Sequence, residues 1–259
     1  MTRDLIVADL AAFYGNCNIH VGAFACPHRA RCEELANPRP LMAGMEAHVG
    51  SLYGQGTRIV VVSLDAGGAS QDLEARTTTI DRVAPDNAEN SHMYGTALFV
   101  QHLLNAENPP DLPMAHVAML NSAKCGGNDG TMNTVPSAVH YQCRQYLFEE
   151  LRILEPDIVW LQGNIVRQVV SDRLTTLSIA RAGIVSPWLA EANSQTQRLA
   201  RLIDPIAQEY FRLMAVGERK VMTILTPHPS DRYGRWGLFQ RSVMPLIADL
   251  AVRGNSETA

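Results

Sequence analysis

Four short, almost uninterrupted apolar runs constrain this chain more than any other feature: residues 58–65 (RIVVVSLD), 117–124 (VAMLNSAK), 157–162 (DIVWLQ) and 220–227 (KVMTILTP). None alternates apolar with polar residues. Near-continuous runs of branched residues belong to strands covered on both faces, which means a parallel sheet between helical layers. Helical spacing lies between the runs. Residues 96–105 carry Leu98, Phe99, Leu103 and Leu104, and residues 136–154 carry Val139, Cys143, Tyr146, Leu147, Leu151 and Leu154 at three- and four-residue steps. A short helix is expected over 165–170 and a closing one over 238–252. An amphipathic helix over 195–214 presents Leu199, Leu202, Ile206, Tyr210 and Leu213 on one face. Strands alternating with helices predict a three-layer α/β/α sandwich around a central, mainly parallel, four-stranded sheet.

At 259 residues, with 46% of them hydrophobic, the chain has enough apolar material for a substantial core. No linker interrupts it, so one domain over 1–259 is expected. Residues 1–56 form a Cys-bearing N-terminal extension packed on that domain, residues 36–56 read as surface loop, and residues 254–259 as a frayed end. The apolar runs fall far short of the roughly 20 residues that cross a bilayer. Met1-Thr2-Arg3-Asp4 does not read as a signal peptide. Five cysteines, an odd number, point to a reducing compartment, with free thiols or metal ligands in place of disulfides, so a cytoplasmic protein is expected. A monomer is the separate expectation for its assembly. The formal net charge of −4 argues against a broad basic surface for nucleic acid. Lys124 and Lys220 are the only lysines among 22 basic residues. Coding bias and a preference for planar, bidentate guanidinium groups both account for that ratio.

Open α/β sheets bind ligands at the carboxyl ends of their strands, and here those ends carry chemistry. The first run ends in Asp65-Ala66-Gly67-Gly68, and the second holds Asn121 and continues into Lys124-Cys125-Gly126-Gly127. The third ends in Gln162-Gly163-Asn164, the fourth in Thr226-Pro227-His228-Pro229-Ser230. Each residue alone has a plain structural role: Asp65 as a turn or cap, Asn121 bonding to backbone, His228 held between prolines. Together they bring a carboxylate, a carboxamide and an imidazole to one edge. Beyond them, Asp231-Arg232-Tyr233-Gly234-Arg235-Trp236 reads as a basic, aromatic loop, or as an ordinary surface loop with Trp236 turned inward. The run His28-Arg29-Ala30-Arg31 is a second basic stretch. Gly126-Gly127-Asn128-Asp129-Gly130 and the glycines after Asp65 match no complete phosphate-binding fingerprint.

The order of these motifs resembles the uracil-DNA glycosylase superfamily, specifically its iron–sulfur branch. The resemblance runs through Leu64-Asp65-Ala66-Gly67-Gly68, then Met93-Tyr94-Gly95 with Leu103-Leu104, then Asn121-Ser122-Ala123-Lys124-Cys125. It continues in Cys143-Arg144-Gln145-Tyr146-Leu147, in residues 154–163 (LEPDIVWLQG), and in His228-Pro229-Ser230. The chain departs from the branch at Asp65, where Glu is usual, and at Gly67, where Pro is usual. It departs also in a longer stretch between Val170 and Lys220, and in N-terminal cysteines spaced as Cys17, Cys26 and Cys32 without a close C-x-x-C.

The resemblance implies a monofunctional glycosylase that flips uracil out of single- or double-stranded DNA and hydrolyses its N-glycosidic bond. In that role Asp65 orients water and favours the cationic sugar, while His228 donates to the departing base. Asn121 reads the edge of uracil by donating to a carbonyl and accepting from the ring N–H. Tyr94 stacks on the base, with Phe99 as the fallback, and Ala66 and Gly67 line its pocket. Ser230, Arg232, Tyr233 and Arg235 contact DNA. A 4Fe–4S cluster is implied on Cys26, Cys32, Cys125 and Cys143, with Cys17 able to replace Cys26 or Cys32. Lys124 sits beside a cluster ligand, so a Schiff-base lyase is not expected. The alternatives are the same fold acting on hypoxanthine, xanthine or mismatched thymine, a non-catalytic damaged-DNA-binding protein, and an unrelated nucleotide-binding α/β protein.

Overall fold

The structure, a computed structural model, describes residues 1–20, 24–36, 41–42, 46–64, 78–105, 110–127, 135–176, 209–231, 233–242 and 244–245. All four expected strands form: β3 (Ile59–Ser63), β4 (Val117–Asn121), β6 (Ile158–Gln162) and β9 (Arg219–Thr226). They are mutually parallel in the order β4-β3-β6-β9. Alternate residues of each strand feed opposite layers. Val60 and Val62 join one core with α1 (Arg3–Asn16) and α4 (Ser137–Leu154). Ile59 and Val61 join another with α3 (Ser91–Asn105) and α6 (Arg235–Ser242). Because both faces are covered, the strands carry no polar alternation, and the arrangement is a three-layer α/β/α sandwich.

The sheet is wider than the sequence predicts. Among the described residues it has seven strands in the order β2-β4-β3-β6-β9-β8-β7, with β2 (His48–Val49), β8 (Phe211–Val216) and β7 (Leu174–Thr176) added antiparallel at its two sides. The parallel four are therefore its centre and not its whole. Residues 211–214 lie in β8 and not in a helix, a correction to the amphipathic helix expected over 195–214; the earlier part of that segment, from 195 to 208, lies outside the described residues. Apolar residues at 210, 211, 213 and 214 fit a helical stripe, but the hairpin with β9 pairs their backbone along Phe211↔Ile224 to Val216↔Arg219. Gly217, with φ of +58°, makes the tight turn between these strands. Tertiary pairing here overrides a weak local period.

Residues 36–56 are likewise not simply a surface loop. They contribute β1 (Leu41–Met42), which pairs with β5 (Gly126–Gly127), and β2, which pairs with β4; Glu46, His48 and Val49 are buried. Helices α1 and α2 (Arg29–Ala36) also escaped sequence assignment. Ile6, Leu10 and Tyr14 put α1 into the same core as α4. Helix α4 ends at Glu155, which takes the left-handed conformation (φ 47°) and donates its N–H to the Leu151 carbonyl, just before Pro156. A short helix, α5 (Asn164–Val169), follows β6. No helix among the described residues is long and apolar enough to cross a membrane.

Candidate active site

Ser63, Asn121, Gln162 and Thr226 are the last residues of the four parallel strands. Register aligns Ser63 with Asn121 and Gln162 with Thr226, so they form one row along the carboxyl edge. All four are buried. Burial of so many polar groups costs free energy unless they are bonded, and three of them are. Gln162 donates from Nε2 to Thr96 Oγ1 (2.9 Å), whose hydroxyl donates to the His92 carbonyl (2.8 Å). This leaves Gln162 Oε1 as an acceptor for the Ser63 hydroxyl and for His92 Nε2 at 2.9 Å. Thr226 accepts from Trp160 Nε1 (2.8 Å) and donates to the Pro227 carbonyl (2.9 Å). Asn121 differs: its side chain finds no hydrogen-bond partner among the described residues, although only 7% of the residue is exposed. Among the described residues its carboxamide is unspent, at the edge where ligands bind in such sheets.

His228 stands between two prolines just past β9. The Ser230 backbone N–H donates to its Nδ1 (3.3 Å), and the Ser230 hydroxyl lies 2.8 Å from the same atom. An N–H can only donate, so Nδ1 carries the lone pair and the neutral ring bears its proton on Nε2. Burial first, then the neighbouring His92, push the His228 pKa down to about 3, against the opposing pull of Asp231. His228 is therefore a neutral Nε2–H donor at any ordinary pH. Its ring stacks on His92, with centroids 4.7 Å apart and planes 15° from parallel. Burial also lowers the His92 pKa. Leu64, Gly163, Asn164, Thr226, His228 and Asp231 line part of a cavity of about 350 Å³, which Arg167 and Arg235 border as well.

The loop after His228 is braced from beneath. Trp236 is buried and stacks on Trp160 at 6.2 Å, so the inward-facing reading of Trp236 holds. Gly95 of α3 lies so close that a Cβ there would stand 2.8 Å from Pro229 Cβ and 2.9 Å from the Trp236 ring. Tyr233 is 85% exposed. Arg235 passes over the Tyr233 ring at 5.4 Å, and its guanidinium is held by Asp231 at 2.6 Å, so its charge is locally offset. Tyr94 lies on α3 and is 39% exposed. Phe99 is not available as a substitute stacker: it is fully buried, edge-on to Trp160 at 4.6 Å, deep in the core. Asp65, Ala66, Gly67 and Arg232 lie outside the described residues. His92, Ser63 and Thr96 were not singled out from sequence, and Gln162 was named there only as a strand end with no role assigned. A serine and a glutamine closing otherwise apolar strands were the available signal.

Cys26, Cys32, Cys125 and Cys143 are all buried and free, and Cys17 is half-buried. The four buried thiols come from the N-terminal segment, from α2, from the turn after β4 and from α4. Cys26 and Cys32 lie close enough to Cys125 and Cys143 to raise the pKa of both. Burial, then Cys143, Cys32 and Cys26, push Cys125 well up. Burial pushes Cys143 up to about 11 against the pull of the Lys124 N–H, which donates to its sulfur at 3.3 Å. The donor type and number suit an iron–sulfur cluster. Among the described residues, however, no three His, Cys, Asp or Glu side chains are arranged to close round a metal ion. Cys17 neighbours Cys26 and borders a separate cavity with Phe13 and Tyr146.

No protein-family model matches the chain, and no curated protein matches it.

Proposed function

We propose that the protein is a monofunctional uracil-DNA glycosylase that starts base-excision repair in a reducing, cytoplasmic compartment. The carrying observation is a pair of groups on one sheet edge: a neutral His228 whose tautomer presents Nε2–H, and an Asn121 carboxamide at the end of β4 without a partner among the described residues. Breaking an N-glycosidic bond leaves negative charge on the departing base. A preorganised neutral donor stabilises that charge as it develops, without a proton transfer of its own. Asn121 donates to a uracil carbonyl and accepts from the ring N–H, a pattern that cytosine reverses, leaving buried groups unpaired. Asp65 is assigned to water and the cationic sugar, Tyr94 to stacking, and Ala66 and Gly67 to the pocket wall. Ser230, Arg232, Tyr233 and Arg235 are assigned to DNA, with exposed Tyr233 as the residue that fills the gap left by the flipped base.

Cys26, Cys32, Cys125 and Cys143 would hold a 4Fe–4S cluster. When bound, it would supply cross-linking between the N-terminal segment and the sheet and take no part in hydrolysis. The decisive experiment incubates the protein, at a concentration equal to substrate, with single-stranded and duplex oligonucleotides carrying one uracil, followed by alkali. Strand breaks at the uracil support the proposal, and their absence overturns it. Hypoxanthine, xanthine and G·T substrates run in parallel define the base range. Iron analysis of anaerobically purified protein decides the cluster separately.

A further inference from the structure

We propose that His92 is a positioning residue: its ring, locked by Gln162, Ser63 and Thr96, fixes the plane of the His228 imidazole and so the direction of its Nε2–H. This rests on the glycosylase proposal only for what His228 acts upon.

The lock follows from hydrogen-bond polarity. Gln162 is wholly buried, and its Nε2 is committed to Thr96 Oγ1 at 2.9 Å. Thr96 can accept that bond because its own hydroxyl proton goes to the His92 carbonyl at 2.8 Å. Gln162 must therefore turn Oε1 toward His92, and a carbonyl oxygen can only accept. His92 Nε2, at 2.9 Å, carries the proton and donates. The Ser63 hydroxyl donates to the same Oε1 and lies 3.3 Å from His92 Nε2, so it holds the acceptor in place beside the ring. Ser63 and Gln162 end adjacent strands whose register is set by Val62↔Leu161. Sheet geometry thus sets the anchor, and the anchor sets the ring.

Among the described residues His228 has one hydrogen-bonded edge of its own, the Nδ1 side held by Ser230. That edge alone leaves rotation about the bond to the ring. The face of His92, 4.7 Å away and 15° from parallel, removes that freedom. Orientation of a reacting group within tight limits is worth large factors in rate, and a small misplacement is costly. His92 also keeps water from one face of His228. Among the described residues, the other charged groups near His228 are Asp231 and Arg235 from its own loop and helix, with Arg167 and Glu209 lining the same cavity.

The test uses the full-length protein with His92→Ala, His92→Phe and His92→Asn. The Phe variant keeps a flat ring without a donor, and the Asn variant keeps a donor without a ring. Single-turnover and steady-state assays on uracil DNA should give a kcat reduced about tenfold or more in His92→Ala, with KM changed less than about threefold. His92→Phe should recover part of the loss and His92→Asn should not. Independently of activity, ring-nitrogen NMR of His228 should report the neutral Nε2–H form from about pH 5 to pH 8 in the parent protein. In His92→Ala the titration midpoint should rise by about one unit or more as water reaches the ring. An unchanged His228 spectrum and midpoint in a folded His92→Ala protein would overturn the inference. If the parent protein releases no uracil, the functional proposal falls, and the NMR measurement still decides whether His92 positions His228.

Discussion

Lys124 Nζ donates to Glu150 Oε1 across 2.7 Å in the protein interior, with 2% and 0% of the two side chains exposed. The Tyr14 hydroxyl donates to the same oxygen at 2.6 Å and accepts the Ala47 N–H at 2.9 Å. Burial pushes the Glu150 carboxyl upward, while Lys124 and Tyr14 pull it down. The network ties α1 and the segment before β2 to α4 and to the turn that carries Cys125. Removing one partner strands a charge in the core, so Lys124→Met should cost about 3–5 kcal/mol in urea unfolding. The double variant Lys124→Met/Glu150→Leu should recover most of that loss. A single variant as stable as the parent would show that the buried groups are not held as an ion pair.

Gly95 is required by the close approach of α3 to the loop carrying His228. In Gly95→Ala the new methyl meets the rigid rings of Pro229 and Trp236 at under 3 Å, and neither can swing away cheaply. Overpacking of this kind costs about 1–3 kcal/mol. The expected result is a lower melting temperature together with a lower rate of uracil release, because relief of the clash displaces Pro229 and with it His228. Parent-like melting and parent-like turnover would show that the loop shifts freely.

Burial of neutral His228 fixes a sign for the pH dependence of stability. Its folded pKa, about 3, lies below the ordinary value of 6.5. Between these values the unfolded chain binds a proton that the folded protein does not, so stability rises with pH across the window and falls as the solution is acidified. The slope from this one group is at most about 1.4 kcal/mol per pH unit, less whatever solvent at the partly open ring screens. Denaturant unfolding between about pH 4.5 and pH 7.5 should therefore show a shallower acid loss in His228→Gln than in the parent. Uracil release should also lack an acid limb near pH 6.5, since His228 is already neutral there. Matching acid losses in the two proteins would show that His228 titrates normally in the fold.

The parallel centre of the sheet was legible because strands covered on both faces write themselves as continuous apolar runs, and β3, β4, β6 and β9 all do. The antiparallel flanks were not. Strand β2 has two residues, too short for any period, and β8 spaces Phe211, Leu213 and Met214 in a way that also suits a helix. Asn121 and His228 stood out because a carboxamide ending an apolar run and a histidine between prolines are chemically conspicuous. His92 did not, because its importance comes from a stacking partner 136 positions away, brought to it by the packing of α3 against the loop after β9. The pairing of Arg235 with Asp231 also lay beyond composition, which counts charges without saying which are offset.

Asn121 is the sharpest test of base recognition, because a carboxamide both donates and accepts where a carboxylate only accepts. Its side chain stands at the end of β4 without a partner among the described residues, so replacing it breaks no hydrogen bond among them. Asn121→Asp should keep the acceptor for the uracil N–H but put a carboxylate oxygen against a uracil carbonyl. Asn121→Ala should lose both contacts. Each should reduce single-turnover uracil release by about 10²–10³-fold, the usual effect of deleting one preorganised polar contact to a reacting group. Thermal unfolding should stay close to that of the parent, since no folded-state bond among the described residues is broken. Release within about threefold of the parent by Asn121→Ala would remove this residue from base reading and direct the search to the residues after Asp65.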